Sequence, residues 1–408
     1  MPEPAAWKFQ KITKPMFDIP TGHFVLKGRV LTAVENQVIE NGFVEVKGDR
    51  IAAVGEVSAM KQTGAEIVEV DGTILPGMMN SHAHLAWDGV HDLSQQSMFD
   101  SIEISAYKAA GNMLISLRSG ITLVRELGMN NTAFAMKQVV EQGIFPGPRL
   151  LIAGAAIVQT GGHTYWCCRE ASGADEMRRA VRENVRGGAD LIKIMMCHDR
   201  LEFTDDELFA VVDEAHRNGI PVTAHATFDA AIERSVDFDI DVIEHGGSMS
   251  DRTVQKLLDK KVPIVTTFSA VVLQADPEQA RAYNIPEWKI EERKKQRADK
   301  ARYNDIVKAA KAGVPIVFGT DAGSPVVQHS KIVPEMQFMV ELGVVDGNYG
   351  AVRSATIQAA RLSKIDKDLG TLEAGKLADV ITVEGNPLDD LKALEKVTRT
   401  YVGGRRLV

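Results

Sequence analysis

Leu75, Pro76, Gly77, Met78, Met79 and Asn80 form a largely apolar run that ends in Ser81, His82, Ala83 and His84, two histidines one residue apart. On a β-strand alternate side chains share a face, so His82 and His84 point the same way, close enough to hold one cation. Further residues of metal-ligating type finish apolar stretches downstream, namely Lys193, His225, His245 and Asp321. The competing account, packed histidines satisfied by hydrogen bonds, would have to hold separately on three strands. Imidazoles and a carboxylate converging on one point suit a divalent cation and hydrolytic chemistry. Lys193 is the least expected member, because an unpaired buried ammonium is costly. It is either salt-bridged to Asp321 or carboxylated by CO2 into an anionic ligand able to bridge two metals.

Such residues need strands that deliver them to one place. Apolar stretches at 75–85, 120–125, 149–154, 189–194, 221–225, 241–245, 262–267 and 315–321 alternate with helix-like segments. Near-continuous apolar strands separated by helices indicate a parallel sheet buried on both faces, and eight of them indicate an α/β barrel of the TIM type, (β/α)8. In such barrels the active site lies at the C-terminal ends of the strands, where all six candidate residues fall. One helix can be placed in detail. Thr204 and Glu207 form a capping box, Leu208, Val211, Val212 and Ala215 recur at helical spacing, and Gly219 marks the stop.

The chain ends read differently. Short β-forming stretches lie at 24–26, 28–31, 43–46, 50–54 and 67–70, and again at 370–372, 378–383 and 397–402, with Gly, Asn and Asp turn residues among them. The expected organisation is a small β-sandwich domain built from both ends, residues 1–74 and 365–408, with the barrel, residues 75–364, inserted within it. The segment from Asp276 to Lys308, rich in Glu, Lys and Arg, reads as one or two charged helices of a length that suits a lid.

Composition narrows the function classes. With Lys plus Arg at 47 and Asp plus Glu at 55, the net charge of -8 gives no electrostatic reason to bind nucleic acid or anionic lipid, so the expected partner is a small-molecule substrate. The stretch Met1 to Lys8 has no apolar signal region, and no later run approaches the ~20 apolar residues that span a bilayer. Cys167, Cys168 and Cys197 are a poor basis for a disulfide framework. A cytoplasmic protein is expected.

His82-Ala83-His84, Lys193, His225, His245 and Thr320-Asp321-Ala322-Gly323 stand in the order found in the amidohydrolase superfamily. The closing Gly370-Thr371-Leu372-Glu373-Ala374-Gly375-Lys376-Leu377-Ala378-Asp379-Val380 and Gly385-Asn386-Pro387-Leu388 resemble that superfamily's last β segments. The resemblance runs from about Gly22 to the end. It implies a homo-oligomeric enzyme with two divalent metals, usually zinc. His82, His84 and Asp321 would hold the more buried metal, His225 and His245 the more exposed one, and carboxylated Lys193 would bridge them. A hydroxide between the metals would attack the substrate, with Asp321 as general base passing the proton to the leaving nitrogen. Gly161-Gly162-His163 resembles a segment of the prolidase-like and imidazolonepropionase-like branch, which implies that His163 hydrogen-bonds the reacting carbonyl oxygen.

Two positions depart from that branch. Thr227 stands where a substrate-holding tyrosine is expected, and Met196-Cys197-His198-Asp199-Arg200 replaces a glycine-rich loop. Both weigh against dipeptides and leave N-acyl amino acids, cyclic amides and carbamates in view. Tyr165, Trp166, Cys167 and Cys168 are candidates for an apolar pocket wall, Arg169 and Arg200 for carboxylate contacts, and His329 for the leaving group. The expected activity is therefore metal-dependent hydrolysis of a small-molecule amide. The alternatives are ester, carbamate or phosphoester hydrolysis on the same site, and a catalytically silent scaffold, against which the complete ligand set stands.

Overall fold

The computed structural model describes residues 16–17, 19–128 and 130–408, so the Met1 to Lys8 stretch lies outside the described residues. Four strands come first: β1 (His23–Leu31), β2 (Val38–Lys47), β3 (Arg50–Glu56) and β4 (Glu66–Pro76). The chain then enters β5 (Met78–Ala83), β6 (Ile121–Glu126), β7 (Arg149–Ile152), β8 (Ile157–Gln159), β9 (Arg169–Ala171), β10 (Ile192–Met195), β11 (Val222–Ala226), β12 (Val242–His245), β13 (Ile264–Thr266) and β14 (Ile316–Phe318). It closes with β15 (Val380–Val383), β16 (Val397–Val402) and β17 (Arg405–Arg406).

The middle strands form the barrel. β5, β6 and β7 pair in parallel, as do β8, β10, β11, β12, β13 and β14 in that order. The two arcs meet on both sides. Ala83, at the end of β5, and Ala322, just beyond β14, form a parallel bridge, and the Asp190 amide donates to the Ile152 carbonyl at 2.8 Å between β7 and β10. The third strand is broken after Ile152. Gly154 sits at φ 73°, turning the chain so that β8 reaches β10 through Ile157 and Ile194. β9, which pairs with β8, lies outside the eightfold reading, because three residues of strand carry too little pattern to be seen in the sequence.

The chain ends combine as expected in a β-rich sandwich, with one seven-stranded sheet in the order β17, β16, β15, β4, β1, β2, β3. β4 runs parallel to β1 and antiparallel to β15, with Val380 opposite Pro76. Phe24, Leu26, Val44, Val46, Ile51, Ile74, Val380 and Tyr401 fill its core. The expected strand at 370–372 does not form. Gly370 adopts φ 92°, and the Leu372 amide donates instead to the Thr32 carbonyl at 2.8 Å. A buried ion pair ties sandwich to barrel, with Arg149 at the start of β7 reaching Asp379 at 2.8 Å.

Between strands the helices follow local rules. Asp205–Arg217 carries the complete capping box at Thr204 and Glu207, buries Leu208, Val211, Val212 and Ala215, and is followed by Gly219 at φ 74°. The charged segment becomes Pro277–Ala282, Glu287–Ala298 and a 3-10 turn Lys300–Tyr303 before Asn304–Ala312. Among the described residues no helix is long and apolar enough to cross a membrane.

Candidate metal centre

The ends of β5 and β14 are stitched together, and this fixes the first three candidates. The Asp321 amide donates to the His82 carbonyl at 2.9 Å, and the His84 amide donates to the Ala322 carbonyl at 2.8 Å. Below them Asn80 Nδ2 donates to Thr320 Oγ1 at 2.7 Å while its Oδ1 accepts from the Thr320 amide at 3.1 Å. Asp321 Oδ1 is thereby held 3.4 Å from His82 Nε2 and 3.2 Å from His84 Nε2. Glycines make the approach possible. A Cβ on Gly319 would lie 2.9 Å from His82 Cβ, and one on Gly323 2.5 Å from the His84 carbonyl oxygen.

The outer nitrogens define the protonation. His82 Nδ1 lies 2.7 Å from Glu244 Oε2 and His84 Nδ1 lies 2.9 Å from the Gly128 carbonyl, both acceptors, so each Nδ1 carries the proton. Burial lowers the proton affinity of His82 far below that of a free imidazole, and the charge of Lys193 adds to the effect. A neutral His82 turns an Nε2 lone pair toward Asp321 Oδ1, and the fixed Nδ1–H of His84 leaves its Nε2 facing the same oxygen. His245 joins them. Its Nδ1 contacts Thr267 Oγ1 at 2.6 Å, and ligand atoms of His82, His245 and Asp321 lie within 4.8 Å of one another. Lone pairs and a carboxylate oxygen this close repel unless a cation lies among them, so this donor set fits a divalent metal.

The remaining candidates extend the cluster. The His225 ring, at the end of β11, lies 4.5 Å from that of His245 and 4.6 Å from that of His163. Burial, reinforced for His225 by His245 and for His245 by His82, lowers both well below the ordinary imidazole value. Lys193 on β10 is 1% exposed and pairs in register with Thr223. Among the described residues no carboxylate forms an ion pair with it, so the salt bridge to Asp321 does not form. Burial lowers its pKa, with Glu244 and Asp321 opposing.

His163 is presented by a turn whose amide donates to Glu202 Oε1 at 2.7 Å. Its ring stacks on His198 at 4.7 Å, and burial, followed by His198 and Lys193, brings its pKa down to about 4. At pH 7 its ring is therefore neutral. The other loop candidates are placed elsewhere. Arg169 is engaged by Glu176 and Glu183 at 3.0 Å each, and His329 Nε2 donates to the Trp87 carbonyl at 3.1 Å. Trp166 packs on Trp87, whose ring lies tilted against that of His84, while Tyr165, His198 and Arg200 are exposed. Thr227 Oγ1 faces Cys197 Sγ at 3.7 Å.

Sequence reasoning missed the shell that holds these ligands. Glu244, fully buried, binds His82 through one oxygen, while the other accepts from Thr223 Oγ1 and from Arg125 Nη1 at 3.3 Å. Arg125 also donates to the Ser81 carbonyl at 2.8 Å. The available signal was a charge inside an apolar strand, Arg125 on β6 and Glu244 on β12. Three site residues other than glycine adopt positive φ: Thr164 at 57°, His245 at 71° and Asp321 at 57°. Strain of this kind is sustained only where surrounding contacts over-determine it.

Comparison with known proteins places the chain among hydrolases. The ochratoxinase of Aspergillus niger is 28% identical over 373 residues, covering 81% of this chain and 75% of that protein. The crystal structure of a Xaa-Pro dipeptidase with bound methionine superposes with a TM-score of 0.83 at 27% identity, covering 94% of this chain and 99% of that one. The A. niger ochratoxinase structure gives 0.81 at 25% identity, covering 95% and 96%. A family model described as the amidohydrolase family matches residues 73–407, which takes in the barrel strands and the closing sheet alike. The chain belongs to the amidohydrolase family, on its prolidase-like branch, and is a hydrolase acting on carbon–nitrogen bonds.

Proposed function

We propose that this chain hydrolyses an amide bond of a small molecule, an N-acyl amino acid, a dipeptide or a cyclic amide, with the aid of two divalent metal ions, zinc by the chemistry of the donors. The observation that carries the reading is the convergence of His82, His84 and Asp321, with His245 beside them, on one buried point. His225 and Lys193 complete the ligand set in this reading, Lys193 carrying a CO2-derived carboxylate. That modification removes the charge of an ammonium only 1% exposed and supplies an anionic ligand in its place.

When bound, such ions lower the pKa of water to about 7 and polarise a carbonyl. The protein's own residues do the rest. Asp321 accepts the proton of the attacking water and delivers it to the leaving nitrogen, so that acid and amine are released. His163, neutral at pH 7, donates to the carbonyl oxygen as negative charge develops there. Glu244 holds the His82 tautomer. Residues 75–364 act as the catalytic unit, carried on a β-domain made of 1–74 and 365–408, and the enzyme assembles as a homo-oligomer.

The test is metal analysis of the purified protein beside a panel of Xaa-Pro and Xaa-Arg dipeptides, N-acyl amino acids, cyclic amides and aryl carbamates. Near-stoichiometric divalent metal is expected, with amide hydrolysis lost on chelation and regained with zinc. Metal uptake by the stripped protein should fall when bicarbonate is removed. A metal-free preparation with full activity would overturn the reading.

A further inference from the structure

The turn that presents His163 carries two adjacent cysteines that the hydrolytic reading leaves unused. Cys167 and Cys168 are free thiols, partly exposed, with their sulfurs 3.8 Å apart. Both lead back to Thr164. Thr164 Oγ1 donates to the His163 carbonyl at 2.7 Å, which spends its only proton. Cys168 Sγ, 3.3 Å from that same oxygen, must then be the donor to it. Cys167 Sγ donates to the Thr164 carbonyl at 3.3 Å. Two S–H groups therefore brace a β-branched residue at φ 57°, a conformation that such residues rarely adopt. His163 is the residue immediately before it.

We propose that Cys167 and Cys168 are a modification site for hydroperoxides, closing to a vicinal disulfide that releases Thr164 and displaces His163. One thiolate attacks the peroxide, whose O–O bond breaks, leaving a sulfenic acid and an alcohol or water. The neighbouring sulfur then attacks, the S–S bond forms, the S–O bond breaks and water leaves. Two thiols lose two hydrogens and two electrons in total, all accepted by the peroxide. Neither S–H survives, so both braces on Thr164 are lost together. Adjacent Cα atoms lie about 3.8 Å apart, below the usual span of a disulfide, so the link is strained and readily reversed by thiols. Cys197, buried and on another loop, takes no part.

The effect on turnover rests on the role proposed for His163; the modification does not. The reduced, full-length, metal-loaded protein is exposed to hydrogen peroxide and read by intact mass, peptide mapping and turnover of the amide found in the substrate panel. The expected result is loss of two hydrogens mapped to Cys167 and Cys168, with turnover falling roughly tenfold to a hundredfold and returning with dithiothreitol. Cys168→Ser keeps a donor for Thr164 Oγ1 and should be active yet insensitive, whereas Cys197→Ser should respond like the parent. Oxidation mapped elsewhere, or Cys168→Ser as sensitive as the parent, would overturn the site. A mapped disulfide with unchanged turnover would overturn the coupling to His163. Failure of the role of His163 itself is seen separately, as undiminished turnover in His163→Ala. The mass result on the unmutated protein stands even if a variant fails to fold.

Discussion

Glu244→Gln is the most informative single substitution, because it keeps the shape of the residue and changes only what it can offer. The native carboxylate accepts from His82 Nδ1 through one oxygen and from Thr223 and Arg125 through the other. A glutamine has one acceptor and one donor end. If its oxygen faces Arg125 and Thr223, its amide nitrogen meets His82 Nδ1, and the imidazole proton must move to Nε2, where it occupies a lone pair aimed at the metal centre. If the amide is reversed, two buried donors confront it. Either way the ligand set is damaged through a residue that touches no metal, and losses at such positions run at about 10- to 100-fold in metal affinity, or about 1.4 to 2.8 kcal/mol. Arg125 also loses its compensating charge. It keeps the Ser81 carbonyl, so we expect a stability loss near the lower end of that for a broken buried pair, about 3 kcal/mol. Competition against a chromophoric chelator measures the first effect and denaturant titration of the metal-free protein the second. Metal affinity within twofold of the parent would refute the tautomer argument.

Three further outcomes follow from the same geometry. His163→Ala should lower kcat by roughly 100-fold, about 3 kcal/mol, while metal content stays constant; unchanged turnover would remove His163 from the mechanism. His329 is buried with its pKa brought down to about 4, chiefly by burial, against an ordinary 6.5. Between those values the unfolded chain takes up a proton that the folded protein refuses, so stability falls as pH drops from 6.5 toward 4, by about 3 kcal/mol in all. The stability advantage of the parent over His329→Gln should shrink through that window, and a constant difference would contradict the assignment. Gly247→Ala would place a Cβ 1.9 Å from the Thr227 carbonyl oxygen and should cost 3 kcal/mol or more in denaturant titration, with an unchanged midpoint as the refuting result.

What could be read from the chain was what local pattern encodes. The apolar stretches became β5 to β7 and β10 to β14 because an apolar strand between helices has few other ways to bury both faces. The Thr204 capping box was legible because both its hydrogen bonds close within four residues. Glu244, Arg125 and Thr223 were not, since each takes its role from a partner on another strand, Glu244 reaching His82 across 162 positions of sequence. The stacking of His198 on His163 depends likewise on two loops meeting. Arg169 shows the reverse error: its charge suggested a substrate contact, but Glu176 and Glu183, on the helix Ala174–Gly187 just beyond it, engage it.

The pairing of β4 with β15 carries a consequence for synthesis. β4 ends at Pro76 and its partner begins at Val380, so residues 77 to 379, 303 in all, must leave the ribosome before that edge is covered. At about 5 to 20 residues per second the edge stays open for roughly 15 to 60 seconds. Throughout that interval β4 presents an unpaired row of backbone donors and acceptors, the kind of edge that recruits other chains. Asp379, which closes on Arg149 and caps the Gly403 amide, arrives at the same late moment. The β5 edge of the barrel waits almost as long, until Ala322 arrives, so chaperone demand during translation should fall on both half-finished sheets and end last at β4.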